Sequence, residues 1–272
     1  MPAAADAGPF VTSFDETTAV EHLGDGRYSG TIDPGWFGPP GPNGGFIAAV
    51  ALRAIRAEVA DDRRRPRSLT LHYLRPPVAG EVTIEVVVER AGRSASACSA
   101  RIVQGEKLTT LVLCVLSADY EGVADWETEA PRVPPPGEVE ELGMGEGAPP
   151  LFEQLETRPL FGPPPFTGGE EAVTGGWIRA RGEAALSPEL IALYSDAWWP
   201  APFSVLEAPS AAPTLELTIH FRAQPQPEER YALVRFRTEA SIDGLFDEGG
   251  EVWSEGGRLL AQSRQLALLR PM

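Results

Sequence analysis

PNGGFIAAVALRAIRAEV, residues 42–59, opens on an Asn-Gly-Gly turn and then places Ile47, Val50, Ala51, Ala54 and Ile55 at helical spacing. The pattern predicts a capped helix, buried or half-buried. Four runs rich in β-branched or small residues follow it: SLTLHYLRP (68–76), EVTIEVVVER (81–90), SASACSARIV (94–103) and KLTTLVLCVLSA (107–118), separated by Gly or Pro signals. They read as an antiparallel meander. A long helix followed by a meander packs best when the sheet wraps round the helix and buries it on its concave face.

The same order recurs downstream. LSPELIALYSDAWW (186–199) begins with Ser187 as N-cap, Pro188 at the first helical position and Glu189 in the first turn. TLELTIHFR (214–222), RYALVRFRTE (230–239), GGEVWSEG (249–256) and RLLAQSRQLALLR (258–270) supply four more strand-like runs. HYLRP at 72–76 resembles IHFRA at 219–223, and QGEKLTTLVLCVL at 104–116 resembles EGGRLLAQSRQLALL at 255–269. The expected fold is therefore α+β, two tandem copies of one unit in 1–120 and 157–272. Joining the two sheets edge to edge would remove their exposed edges.

Residues 121–156 separate the copies. Between Asp119 and Glu156 there are eleven acids and one base, Arg132, which supplies ten of the sixteen net negative charges of the chain. PRVPPPGEVEELGMGEGAPP, within it, forbids long regular structure, so the stretch reads as a solvated acidic linker. A net charge of −16 discourages contact with nucleic acid or anionic membrane. MPAAADAGPF lacks a signal-peptide pattern and no run reaches the roughly 20 apolar residues of a membrane span, so a cytoplasmic location is expected. Cys98 and Cys114 lie in apolar runs without metal-type spacing and read as reduced core residues. No metal or cofactor motif is expected, and GDGRYSG lacks the context of a phosphate loop.

Polar residues of the second copy converge where the first is apolar. Matching Tyr73 to His220, strict alternation puts Thr214, Glu216, Thr218 and His220 on one strand face, and Leu215, Leu217, Ile219 and Phe221 on the other. Leu113 matches Gln265, and Asp196 falls at the place of the Asn43-Gly44-Gly45 turn. An ionised carboxylate among Leu193, Tyr194, Ala197 and two tryptophans needs hydrogen-bond partners. Thr214 and Gln265 are suitable, and an acid, a hydroxyl and an amide together can hold and polarise one water.

These residues carry a resemblance. YSD at 194–196, TLELTIHFR and LLAQSRQLALLR resemble the helix, the Thr-led strand and the last strand of the bacterial acyl-CoA thioesterase II family, proteins with two hotdog units in one chain. NGGFIAAVALRAI and LTLHYLRP are similar to the helix and strand of that family's N-terminal unit. The resemblance implies a double hotdog and a hydrolytic water bound by Asp196, Thr214 and Gln265, with an acyl-CoA or acyl-carrier thioester as substrate and no further cofactor. Glu216-Leu217 replaces the family's Asp-His pair, which leaves Thr218 as a second candidate for the hydroxyl.

Backbone N–H groups at Gly44 and Gly45 are expected to meet an oxyanion, and Trp198, Trp199 and Phe203 to wall an acyl pocket. Two other functions fit the scaffold. One is a non-catalytic acyl-CoA or acyl-carrier binder; the other is a hotdog dehydratase or hydratase, for which His22, His72 and His220 are the only candidates, with His72 and His220 on opposite faces. Further association into a homo-oligomer is expected.

Overall fold

The computed structural model describes residues 13–143, 145, 147–182 and 185–272; the leader reading of residues 1–10 lies outside them. Two helices carry the core. Asn43 caps α1 (Gly44–Val59), its side chain accepting from Phe46 N–H at 2.9 Å, and Ser187 caps α2 (Pro188–Tyr194), accepting from Leu190 N–H at 3.1 Å. Phe46 to Leu52, Ala54 and Ile55 are all buried, because α1 lies between a sheet and α2. The two helices run antiparallel. Arg56 near the end of α1 pairs with the buried Glu189 at the start of α2 at 2.6 Å, and Gly45 at the start of α1 sits against Leu193 near the end of α2.

Thirteen strands among the described residues form one sheet. They are β1 (Glu21–Gly24), β2 (Arg27–Ile32), β3 (Arg65–Tyr73), β4 (Gly80–Ala91), β5 (Ala95–Gln104), β6 (Lys107–Ser117), β7 (Leu155–Phe161), β8 (Val173–Ala180), β9 (Thr214–Phe221), β10 (Ala232–Arg237), β11 (Ser241–Ile242), β12 (Leu245–Ser254) and β13 (Leu259–Leu268). Their order is β1-β2-β4-β5-β6-β3-β9-β13-β12-β10-β8-β7, with β11 on β12. Each half wraps its own helix, so the α+β fold is two tandem hotdog units joined edge to edge between β3 and β9.

That seam fixes how the copies correspond. Thr70 faces Thr218 with the hydroxyls 3.0 Å apart, and the register about them is symmetrical, Leu71 opposite Leu217 and Leu69 opposite Ile219. Tyr73 therefore corresponds to Phe221, and an alignment on the shared Arg75 and Arg222 is one residue out. His72 and His220 become equivalent, exposed on the same outer face rather than on opposite faces, and His22 is exposed as well. None of the three histidines reaches the interior.

The linker is mostly exposed but not freely solvated. Ala130, Val133 and Val139 pack on Trp177, Leu233, Trp253 and Leu259, a second apolar cluster on the outer side of the C-terminal sheet. Trp177 Nε1–H donates to Pro134 O at 2.8 Å, and Leu259 N–H to Glu127 at 2.9 Å. Its last residues, Leu155 and Glu156, already belong to β7, where the buried Glu156 receives Arg158, Arg179 and Tyr231. Cys98 and Cys114 are buried free thiols paired on adjacent strands, their pKa values raised by burial.

Candidate active site

At the end of α2 the chain turns through Ser195, and Asp196 projects onto the start of α1. Its Oδ2 accepts from Gly45 N–H at 3.0 Å and from the Asn43 amide at 3.2 Å, while Asn43 also donates to the Asp196 main-chain oxygen at 2.7 Å. A Cβ on Gly45 would stand 2.5 Å from Leu193 O, which explains the glycine: the two helix ends touch through backbone. Helix α1 offers unpaired N–H groups and the positive end of its dipole to the carboxylate. Burial nonetheless pushes Asp196 up to about 6, against the pull of the Gly45 and Gly44 N–H groups. Tyr73 closes this end, its hydroxyl donating to Gly44 O at 2.8 Å. Its pKa is raised well above the ordinary value by burial and by the charges of Asp196 and Glu216.

A β-bulge brings the second group inward. In β9, Thr214 pairs with Ala267 and Glu216 with Leu266, so Leu215 is the extra residue. Alternation restarts there. Leu217, Ile219 and Phe221 face the core, Thr218 faces outward with Glu216 (2.5 Å) and Thr70, and Thr214 turns in beside Gln265. The shared face expected for Thr214, Glu216 and Thr218 is thus corrected, because one inserted residue exchanges the faces. Thr214 Oγ1 donates to Gln265 Oε1 at 3.0 Å, and Gln265 Nε2 donates to Glu248 Oε1 at 2.6 Å. Glu248 Oε2 accepts from Ala201 N–H at 2.5 Å. Burial pushes Glu248 up to about 7; the charges of Asp196 and Asp247 push the same way, against the Ala201 and Gln265 donors.

The structure therefore brings Asp196 to Gly44 and Gly45, and Thr214 to Gln265, with the field of Asp196 reaching Glu248. Asp196 and the Thr214–Gln265 pair make no direct hydrogen bond among the described residues. Trp198 and Trp199 lie in the arch between Asp196 and Ala201, ring centroids 4.9 Å apart, both indole N–H groups buried without an acceptor. Phe203 instead packs on Phe166 at 4.7 Å, apart from the core cluster that holds the two tryptophans. Gly45 N–H, expected at an oxyanion, is committed to Asp196.

The seam register also corrects the match of the copies. Leu69 pairs with Cys114 as Leu217 pairs with Gln265, so Gln265 stands in the place of Cys114, not of Leu113. Cys98 opposes Cys114 as Glu248 opposes Gln265, so Glu248 stands in the place of Cys98. Both copies carry the bulge, at Arg67 and Leu215, which equates Pro66 with Thr214. Counting from the N-caps, Asp196 corresponds to Leu52; it touches the Asn43 turn and is not its equivalent. Four residues without a formal charge or a strong polar group in the first unit have become Asp, Thr, Glu and Gln in the second. Sequence reading found three of these and missed Glu248.

Comparison with known proteins agrees with this architecture. Residues 32–118 match the model of the acyl-CoA thioesterase N-terminal domain, and residues 127–269 that of the acyl-CoA thioesterase C-terminal domain. Uncharacterized proteins of Mycobacterium tuberculosis and Mycobacterium bovis are each 26% identical over 269 residues, 89% of this chain and 90% of theirs. A hot dog fold protein of unknown function from Alicyclobacillus acidocaldarius superposes with a TM-score of 0.85 at 27% identity, over 95% of this chain and 98% of that one. An acyl-CoA thioesterase II, TesB2, from Mycobacterium marinum has the same fold at 19% identity, with a TM-score of 0.76 over 96% and 99% of the two chains. Two matched domains in tandem account for most of the sequence, and the chain belongs to the acyl-CoA thioesterase family.

Proposed function

We propose that this protein hydrolyses an acyl-CoA thioester to the free acid and CoA, with Asp196 as general base and Thr214 and Gln265 as holders of the attacking water. The observation that carries the reading is the set itself. A half-buried carboxylate with its pKa raised to about 6 acts electrostatically on Glu248, the partner of a threonine–glutamine pair, and Asp196, Thr214 and Gln265 all stand at places that are not polar in the companion unit. A base poised near neutrality is what proton abstraction from water requires.

Hydrogen-bond accounting orients the water. The Thr214 proton is committed to Gln265 Oε1, so Thr214 Oγ1 is left as an acceptor; one Gln265 Nε2 hydrogen is committed to Glu248, so the other is left as a donor. A water in reach of all three receives the Gln265 hydrogen and gives its own two to Thr214 and Asp196. Its remaining lone pair attacks the thioester carbon, Asp196 takes the proton, and collapse of the tetrahedral intermediate expels the CoA thiolate. No acyl-enzyme is needed. Gly44 and Gly45 serve here by holding the base, and Trp198 and Trp199 wall the acyl side.

Thiol release from a panel of short, medium, long and aromatic acyl-CoAs at pH 8 tests this. We expect turnover by the wild type, a loss of about 100-fold or more in Asp196→Asn, and near-normal turnover in Thr218→Ala, whose hydroxyl faces outward. Turnover retained in Asp196→Asn would remove the proposed base. Ligand binding without any release would mark a binder rather than an enzyme.

A further inference from the structure

The function proposed above uses three polar residues, yet the comparison of the two units yields four. Glu248 occupies the place of Cys98, is 4% exposed, and is the acceptor for Gln265 Nε2 at 2.6 Å. Its other oxygen takes Ala201 N–H at 2.5 Å, the first residue of a short helical turn, Ala201–Ser204. An isolated buried carboxylate is costly, and here both oxygens are engaged by donors whose positions matter to the site.

We infer that Glu248 is a positioning residue of the hydrolytic site: its carboxylate fixes which way the Gln265 amide points and pins the far end of the arch that carries Trp198 and Trp199. The inference rests on the thioesterase reading for its kinetic consequence. A glutamine side chain can present either its oxygen or its nitrogen to a neighbour. An ionised Glu248 accepts only, so it selects Nε2; Oε1 is then turned to Thr214, and the spare N–H is left for the water. Protonation of Glu248, or Glu248→Gln, puts a donor opposite Gln265 once Ala201 N–H has claimed the remaining acceptor. The amide must then turn over, and Thr214 meets a donor in place of an acceptor. The arch meanwhile is held at both ends, by Asp196 on Asn43 and Gly45 and by Ala201 on Glu248.

Charged groups acting on Glu248 are Asp196, across the site, and Asp247, its neighbour on β12, whose carboxylate pairs with Arg264 on the outer face. Both carboxylates oppose its ionisation.

Two readouts test the inference. In kinetics, Glu248→Gln should lower kcat by about 10- to 100-fold with little change in KM, the usual size for loss of a partner that only orients a functional group. The wild-type rate should rise through a limb near pH 7, and that limb should move toward pH 6 in the variant, where Asp196 alone remains. Unchanged kcat and an unchanged limb in an active enzyme would overturn the role of Glu248 while leaving the thioesterase reading intact. The second readout needs no turnover. The Gln265 side-chain NH2 resonances, assigned by their absence in Gln265→Met, should shift with pH near 7 in the wild type and lose that step in Glu248→Gln. Gln265 NH2 resonances with the shifts and exchange rates of a free glutamine amide in the wild type at pH 8 would overturn the inference even if no thioester is ever hydrolysed, and this measurement depends on no Glu248 variant folding.

Discussion

Asp196 and Glu248 are carboxyl groups placed where folding gains least from their charge. Their pKa values, about 6 and about 7, lie above those of an unfolded chain, so the folded state binds more protons between about pH 4 and pH 7. Their contribution to stability must then fall as pH rises through that window and level off above it. Asp196→Asn keeps an acceptor for Gly45 N–H and removes the buried charge. We expect it to be more stable than the wild type at pH 8, by about 1–3 kcal/mol, and to match it near pH 4, as followed by urea denaturation at the two pH values. A variant less stable at pH 8 would mean that the carboxylate is a net stabiliser. The loss of activity with a gain in stability is the usual signature of a residue kept for chemistry.

Among the elements, the bulge at Leu215 decides which side chains form the site. Deleting Leu215 should remove the bulge and restore unbroken alternation with Thr214, now next to the outward Glu216, still on the inner face, so thiol release should survive in a folded sheet. Loss of turnover in a folded deletion would show that the bend of the bulge, and not only the inward face of Thr214, is needed at the site. This is also the element that sequence alone leaves unread, because L-E-L-T-I-H-F fits uninterrupted alternation with or without one extra residue before it. The helix starts were legible in detail, Asn43 and Ser187 each taking the predicted cap, since capping is a local hydrogen bond. Strands β7 and β8 were not. Pro159 sits in one, and Gly175-Gly176 in the other, at left-handed φ values of 135° and 157° where neighbouring backbone leaves no room for a Cβ. Glu248 was missed for a related reason: FDEGGE reads as a polar turn, whereas β12 already begins at Leu245.

Over the whole molecule, the seam makes one sheet of two units. Separating β3 from β9 would break the Thr70–Thr218 contact, expose two strand edges, and part the antiparallel helix pair with its Arg56–Glu189 bridge. Neither half then has a lower-energy way to unfold first. Calorimetry should accordingly show a single transition, with calorimetric and van't Hoff enthalpies in agreement; two resolved transitions would show that the halves are energetically independent.

The correspondence between the units has one more consequence, and it concerns inheritance rather than energy. In an assembly of identical single units, one codon writes a residue into both halves, so a polar group needed on one side of the dyad must also be carried on the other. Here Leu52, Pro66, Cys98 and Cys114 are encoded apart from Asp196, Thr214, Glu248 and Gln265, and Glu189, at the place of Gly45, is free to pair with Arg56. Those four places of the first unit can drift under the demands of packing alone, while their counterparts in the second stay polar and Asn43, Gly44 and Gly45 tie the first unit to Asp196.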